Sequence, residues 1–128
     1  MGGERGPALR VLIADDNRDA MLTLGILVRS EGYIVKLTEN GKQALAVAPY
    51  FEPDIVLLDV GMPELSGFDV AQQLVQRYGA RCPVLIAVSG YAAEEDRQRA
   101  AQCGFHHFIS KPYEPEALIT LLNSVPST

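Results

Sequence analysis

Five residues in this chain have types and positions that could do chemistry together: the adjacent carboxylates Asp15 and Asp16, a third carboxylate at Asp59, the Ser89 hydroxyl and the Lys111 ammonium. Each group follows a short apolar run. Val11-Leu12-Ile13-Ala14 precedes the aspartate pair, Ile55-Val56-Leu57-Leu58 precedes Asp59, Val84-Leu85-Ile86-Ala87-Val88 precedes Ser89, and Phe108-Ile109-Ser110 leads into Lys111-Pro112. Carboxylates brought close together repel, so one must take a proton or a cation must sit among them. A hard divalent cation, Mg2+ or Mn2+, suits such a site because it takes oxygen ligands, keeps waters and leaves room for phosphate oxygens. An ammonium adds a point charge for a phosphoryl oxygen, and a hydroxyl adds a rotatable donor. A carboxylate nucleophile, a metal and a lysine are the parts for phosphoryl transfer to an aspartate. Taken singly, an Asp pair after a strand is often only a helix cap, and a lone Asp at a strand end caps a turn. The joint pattern at four strand ends is what points to chemistry.

These groups act together only if the fold gathers them. Apolar runs without polar alternation suit strands covered on both faces. Residues 10–14, 55–58 and 84–88 read as such strands, and 33–38 and 105–110 as weaker ones. Helical segments are expected at 19–30, 42–48 (entered through Asn40-Gly41), 68–78, 94–103 and 115–124, with Gly32, Gly79 and Gly104 as stops. Strands alternating with helices make a doubly wound α/β fold with a five-stranded parallel sheet and right-handed crossovers. In the flavodoxin-like (βα)5 arrangement, order 2-1-3-4-5, the ligand crevice lies outside the carboxyl ends of strands one and three. Asp15, Asp16 and Asp59 would meet there.

With these residues in place, the chain resembles the receiver domain of two-component response regulators. The resemblance covers residues 10–125, with 1–9 read as a flexible tail or linker and 126–128 as a second tail. It is carried by Val-Leu-Ile-Ala-Asp-Asp-Asn at 11–17, Leu-Leu-Asp-Val-Gly-Met-Pro-Glu-Leu-Ser-Gly at 57–67, Ala-Val-Ser-Gly at 87–90 and Phe-Ile-Ser-Lys-Pro at 108–112. It implies that Asp59 accepts a phosphoryl group from a partner's phosphohistidine, the partner being a histidine kinase or a histidine phosphotransfer domain. It implies that Asp16, Asp59 and the Gly61 carbonyl ligate Mg2+, with Asp15 acting through water, and that Lys111, Ser89 and Gly90 hold the phosphoryl group. Ser89 and Phe108 would form a switch that changes the far face for partner contact, and the Lys111-Pro112 bond would be cis. No turnover chemistry beyond self-phosphorylation of Asp59 and its slow reversal is implied.

Several positions depart from the family pattern or add to it. Phe108 stands where the family often has Tyr, so a switch there works through burial rather than a hydroxyl bond. Tyr91, two residues after Ser89, is expected to shield the phosphoryl group partly from water. In the first helix, Ala20, Leu24, Leu27 and Val28 share a stripe at 100° per residue with Met21 at its margin, whereas Leu22 and Ile26 point elsewhere. Leu22 and Ile26, with Pro112 and Tyr113, are therefore candidates for docking the phosphohistidine partner. His106 and His107 cannot jointly chelate, because neighbours on a strand face opposite ways. They read as edge or surface residues. The fourth helix, rich in Ala and charge, reads as a mostly solvated and weakly held element.

Composition narrows the functional classes. The chain has 128 residues, 48% of them apolar, with 11 basic against 16 acidic side chains and a net charge of −5. This describes one globular domain, and the absence of a basic cluster argues against nucleic acid as a partner. Asp15, Asp16 and Asp59 carry three of the five excess negative charges. No apolar run approaches the roughly 18 residues of a membrane span. Cys82 and Cys103 lack a Cys-x-x-Cys spacing and read as reduced structural thiols, with a cytoplasmic location. The main competing enzyme is a Mg2+-dependent phosphatase with an aspartyl nucleophile, which would want a second acid where Gly61 stands. A flavodoxin-like FMN binder would place its phosphate against three carboxylates, and a nucleotide hydrolase would need a Gly-rich Lys-Ser/Thr loop. Both a stand-alone regulator and a receiver cut from a larger chain, such as a hybrid sensor kinase, fit these residues. In the second case the rest of that chain is a further partner.

Overall fold

A computed structural model describes residues 8–90 and 94–125. Its strands are β1 (Arg10–Ala14), β2 (Ile34–Thr38), β3 (Ile55–Asp59), β4 (Val84–Ser89) and β5 (His107–Ser110), all parallel in the order β2-β1-β3-β4-β5. The helices are α1 (Arg18–Ser30), α2 (Gly41–Phe51), α3 (Gly67–Tyr78), α4 (Glu94–Cys103) and α5 (Pro115–Asn123). The expected doubly wound (βα)5 fold is the one observed. The tail residues 1–7 and 126–128, and Tyr91, lie outside the described residues. Contacts of the sheet reach Leu9, whose carbonyl accepts from the Ile34 N–H at 3.0 Å.

The central strands are apolar throughout because each is covered twice. Val11, Ile13, Ile55, Leu57 and Ile86 face α1 and α5, while Leu12, Ala14, Val56, Leu58, Leu85 and Ala87 face α2, α3 and α4. Successive side chains alternate between the two layers, as strand geometry requires. With every apolar position committed to a layer, polar groups enter only where the strands end. Three helices start on side-chain caps: Asn17 for α1, Asn40 for α2, and Ser66 for α3 in a capping box with Asp69. Gly32, Gly79 and Gly104 follow α1, α3 and α4 with φ of 96°, 54° and 104°, a left-handed region that suits glycine.

α2 and β5 differ from the sequence expectation, each for a tertiary reason. α2 does not stop at Ala48 but runs through Pro49 to Phe51. Pro49 has no N–H for the Leu45 carbonyl four residues back, and the Arg77 guanidinium from α3 donates to that carbonyl at 3.1 Å instead. β5 begins at His107, not Phe105. The Phe105 N–H is taken by the Ala100 carbonyl at the end of α4, and the ring is buried edge-on against Phe68. His106 extends the pairing differently: its N–H donates to the Leu85 carbonyl, and its Nδ1 accepts from the Leu85 N–H at 3.0 Å. Both histidines are exposed.

In α1 the buried stripe is Met21, Leu24, Gly25 and Val28, while Ala20 is exposed and Leu27 half-buried. The stripe is centred on Gly25, where a Cβ would lie 2.9 Å from the Leu37 Cδ2 methyl of β2, so any larger residue would have to push that side chain aside. Leu22 and Ile26 are left outside the stripe, 42% and 68% exposed. In α4 only Ala100 and Cys103 are buried, in keeping with a weakly held helix. Cys82 and Cys103 are free thiols, and burial pushes both above the ordinary thiol range, which lowers the thiolate fraction of each.

Candidate functional site

The carboxyl ends of β1 and β3 bring one oxygen each of Asp15, Asp16 and Asp59 within 4.8 Å of one another. Asp15 is buried, Asp59 half-buried and Asp16 exposed, so the cluster opens to solvent on one side. The backbone fixes two of these carboxylates. Asn17 donates its N–H to Asp15 Oδ1 at 2.9 Å while its side chain caps α1, and Gly61 donates its N–H to Asp59 Oδ1 at 3.0 Å. Both are short loop bonds between residues two apart in sequence.

Lys111 enters from the loop after β5. Its Nζ stands 3.5 Å from Asp15 Oδ2 and 3.7 Å from Asp59 Oδ2. These separations exceed a direct charge-assisted hydrogen bond, so the ammonium is shared between two carboxylates rather than committed to one. Ser89 ends β4 fully buried, and its carbonyl accepts from the Lys111 N–H at 2.6 Å, which ties the loop after β5 to the end of β4. The Lys111-Pro112 bond is cis. Gly90 follows at the exposed rim, with nothing within 4 Å of where a Cβ would stand.

The electrostatics follow from this packing. Burial pushes the Asp59 carboxyl above the ordinary value of 3.8, and the neighbouring Asp15 charge adds to the rise, against the pull of the Gly61 N–H and Lys111. Tyr113 is half-buried, packed against the layer of α1 and α5, and its hydroxyl is held high by burial and by the Asp15 charge. An all-oxygen cluster with two more carboxylates than ammonium groups fits a hard divalent cation.

Sequence reasoning located Asp15, Asp16, Asp59 and Lys111, and the structure brings them together. Phe108 is half-buried on β5, opposite Ala87 of β4. Of the docking candidates, Leu22 and Ile26 on α1 and Pro112 are exposed, while Tyr113 gives part of its ring to the core. Two residues inside the motifs at 11–17 and 57–67, Asn17 and Gly67, have roles that only the structure shows. Asn17 orients Asp15, a role signalled by an Asx residue immediately before a helical pattern. Gly67 presses against the Asp59 backbone, where a Cβ would lie 2.8 Å from the Asp59 carbonyl oxygen. No local sequence signal marks that contact.

Comparison with known proteins bears on the whole chain. Residues 11–123 match the family described as response regulator receiver domain. The polar-differentiation response regulator DivK of Brucella anthropi is 34% identical over 114 residues, covering 89% of this chain and 93% of that protein. Protein PilH of Pseudomonas aeruginosa is 32% identical over 116 residues, covering 91% and 96%. Among solved structures, the chemotaxis protein CheY4 of Vibrio cholerae superposes with a TM-score of 0.87 at 24% identity, covering 93% of this chain and 99% of that one. That last likeness concerns the fold. Among the described residues, no helix is long and apolar enough to cross a membrane.

Proposed function

The chain belongs to the response regulator receiver domain family of two-component signalling, and on that premise we propose that Asp59 accepts a phosphoryl group from the phosphohistidine of a kinase or phosphotransfer domain in the cytoplasm. The observation that supports this most directly is Lys111 Nζ lying between Asp15 and Asp59, at 3.5 and 3.7 Å, on an open cluster of carboxylates. Receiver domains are signalling modules rather than enzymes with turnover. The chemistry here is therefore a single transfer. An Asp59 oxygen attacks phosphorus in line, the P–N bond to the donor imidazole breaks, and the P–O bond of an acyl phosphate forms. Asp59 is partly stripped of water and electrostatically strained, so its negative charge has less solvation to lose on attack. Lys111 sets its ammonium against the phosphoryl oxygens, with the Ser89 hydroxyl and Gly90 backbone as further donors. Asp16, Asp59 and the Gly61 carbonyl would hold Mg2+, and Asp15 would hold it through water. When bound, Mg2+ supplies positive charge that offsets the carboxylates and the phosphoryl oxygens.

Incubation with acetyl phosphate and Mg2+ should add one acid-labile phosphoryl group per chain, read by intact mass. Chelation with EDTA should slow that incorporation about tenfold or more, since the carboxylate cluster then repels the donor. Incorporation that is indifferent to EDTA would sink the metal assignment. Steady release of phosphate from unrelated phosphomonoesters would replace the receiver reading with that of an aspartyl phosphatase.

The donor must approach beside Asp16, where α1 begins. Leu22 and Ile26 stand on that helix with exposures of 42% and 68%, and full burial of such a side chain contributes about 1.5–3 kcal/mol. They are the proposed docking pair for histidine-bearing helices. Leu22→Asp is expected to slow transfer from the cognate kinase about tenfold or more while sparing acetyl phosphate. Equal slowing with both donors would refute docking.

A further inference from the structure

α4 has little apolar hold on the sheet, with only Ala100 and Cys103 buried. Two arginines supply contacts in place of aliphatic side chains. Arg99 lies over the Phe68 ring at 4.3 Å, and Arg97 lies over the Phe108 ring at 4.8 Å while its Nη2 donates to the Ser110 hydroxyl at 3.1 Å. Phe108 and Ser110 are two apart on β5 and so share one face. In the ladder they sit opposite Ala87 and Ser89 of β4. Arg97 therefore clamps an aromatic ring and the pairing partner of the buried hydroxyl that ends β4.

We propose that Arg97 is a clasp that holds α4 and Phe108 in the unphosphorylated arrangement and is released on phosphorylation, a proposal that rests on Asp59 being the phosphoacceptor. A phosphoryl oxygen on Asp59 attracts hydroxyl donors, and Ser89 is fully buried at the end of the strand beside it. Any movement of Ser89 toward that oxygen opens space on the face it shares with Phe108. The half-buried ring gains by moving into such space, because its remaining exposed area leaves water. It can do so only by leaving the guanidinium, and α4 then loses one of its few attachments to β5. The clasp thus opposes the phosphorylated state by whatever Arg97 contributes to the unphosphorylated one. Because the guanidinium is exposed and its partners are half-buried, that contribution is modest and removable without unfolding the domain.

The test uses beryllofluoride, a phosphoryl mimic, titrated with Mg2+ into the wild-type chain, Arg97→Ala and Arg97→Lys, with amide hydrogen exchange followed in α4. Arg97→Ala is expected to bind the mimic about three- to tenfold more tightly, the scale of one cation–π contact and one hydroxyl bond. Its α4 amides, without the mimic, should exchange as fast as those of the occupied wild type. Arg97→Lys, which keeps the charge but not the planar stack, should fall between. A merely structural role would leave the affinity unchanged or weaken it, and either result overturns the clasp. If no variant binds the mimic, wild type included, the phosphoacceptor reading fails and the clasp with it; binding without dependence on residue 97 overturns the clasp alone.

Discussion

Asp59→Asn is expected to abolish phosphoryl incorporation from both a kinase and a small donor, and at the same time to make the domain more stable at neutral pH. The first effect follows because an amide is no nucleophile toward phosphorus and no neighbouring group can replace it. Asp15 already accepts from the Asn17 N–H and, like Asp59, stands close to Lys111. The second follows from the cause of the raised Asp59 pKa, burial first and the Asp15 charge after it, only partly countered by Gly61 and Lys111. The folded domain holds this proton at pH values where the unfolded chain has released it, so the folded state binds more protons and stability falls as pH rises. The penalty is absent below the unfolded value of 3.8, grows between that value and the higher folded one, and is complete above. Asn keeps the shape and removes the penalty. In metal-free buffer the melting temperatures of the two proteins should converge near pH 3, with Asn leading at pH 7. Retained incorporation at the wild-type level would remove Asp59 from its role. A wild type more stable than Asn at neutral pH would mean that the Lys111 attraction outweighs burial and repulsion.

The strands and the site were legible for the same physical reason. A strand buried on both faces has no use for a polar side chain until it leaves the sheet, so Asp15, Asp59 and Ser89 stand out as abrupt ends of apolar runs. The parallel topology then gathers those ends without further information. What the sequence hid are contacts between residues distant along the chain. Pro49 looks like the end of α2 until Arg77, from the next helix, satisfies the carbonyl that the proline cannot. Phe105 looks like strand until its N–H is taken by α4. Gly25 does not count as apolar in a helical-wheel reading, yet its missing side chain centres the buried stripe of α1 and leaves Ala20 exposed. Arg97 and Arg99 read as solvated charge, and only the packing of α4 shows each lying on a ring.

Gly67→Ala is expected to damage stability and phosphorylation together, because at this position the scaffold and the site share backbone. Gly67 opens α3 where the helix turns back against the end of β3. A Cβ there would stand 2.8 Å from the Asp59 carbonyl oxygen, 2.8 Å from Val60 Cα and 3.1 Å from the Asp59 carbonyl carbon. None of these atoms is the movable tip of a side chain. Relief requires α3 to withdraw, which strains the Ser66–Asp69 capping box, or the Asp59–Val60 turn to shift, which disturbs the Val60 N–H bond to Val88. Forced overpacking of this kind costs about 2–3 kcal/mol, and the midpoint of denaturant unfolding should fall accordingly with an unchanged slope. A shift of the turn moves the Asp59 carboxylate relative to Lys111, so the variant that remains folded should take up phosphoryl groups about tenfold more slowly or worse. Gly61→Ala is the control. Its Cβ would meet Asp59 Oδ1 at 3.6 Å, an ordinary contact, and stability should barely change. A Gly67→Ala protein as stable as wild type would show that the turn after β3 yields freely. In that event the position of Asp59 would be set by the Gly61 N–H and Lys111 rather than by the helix behind it.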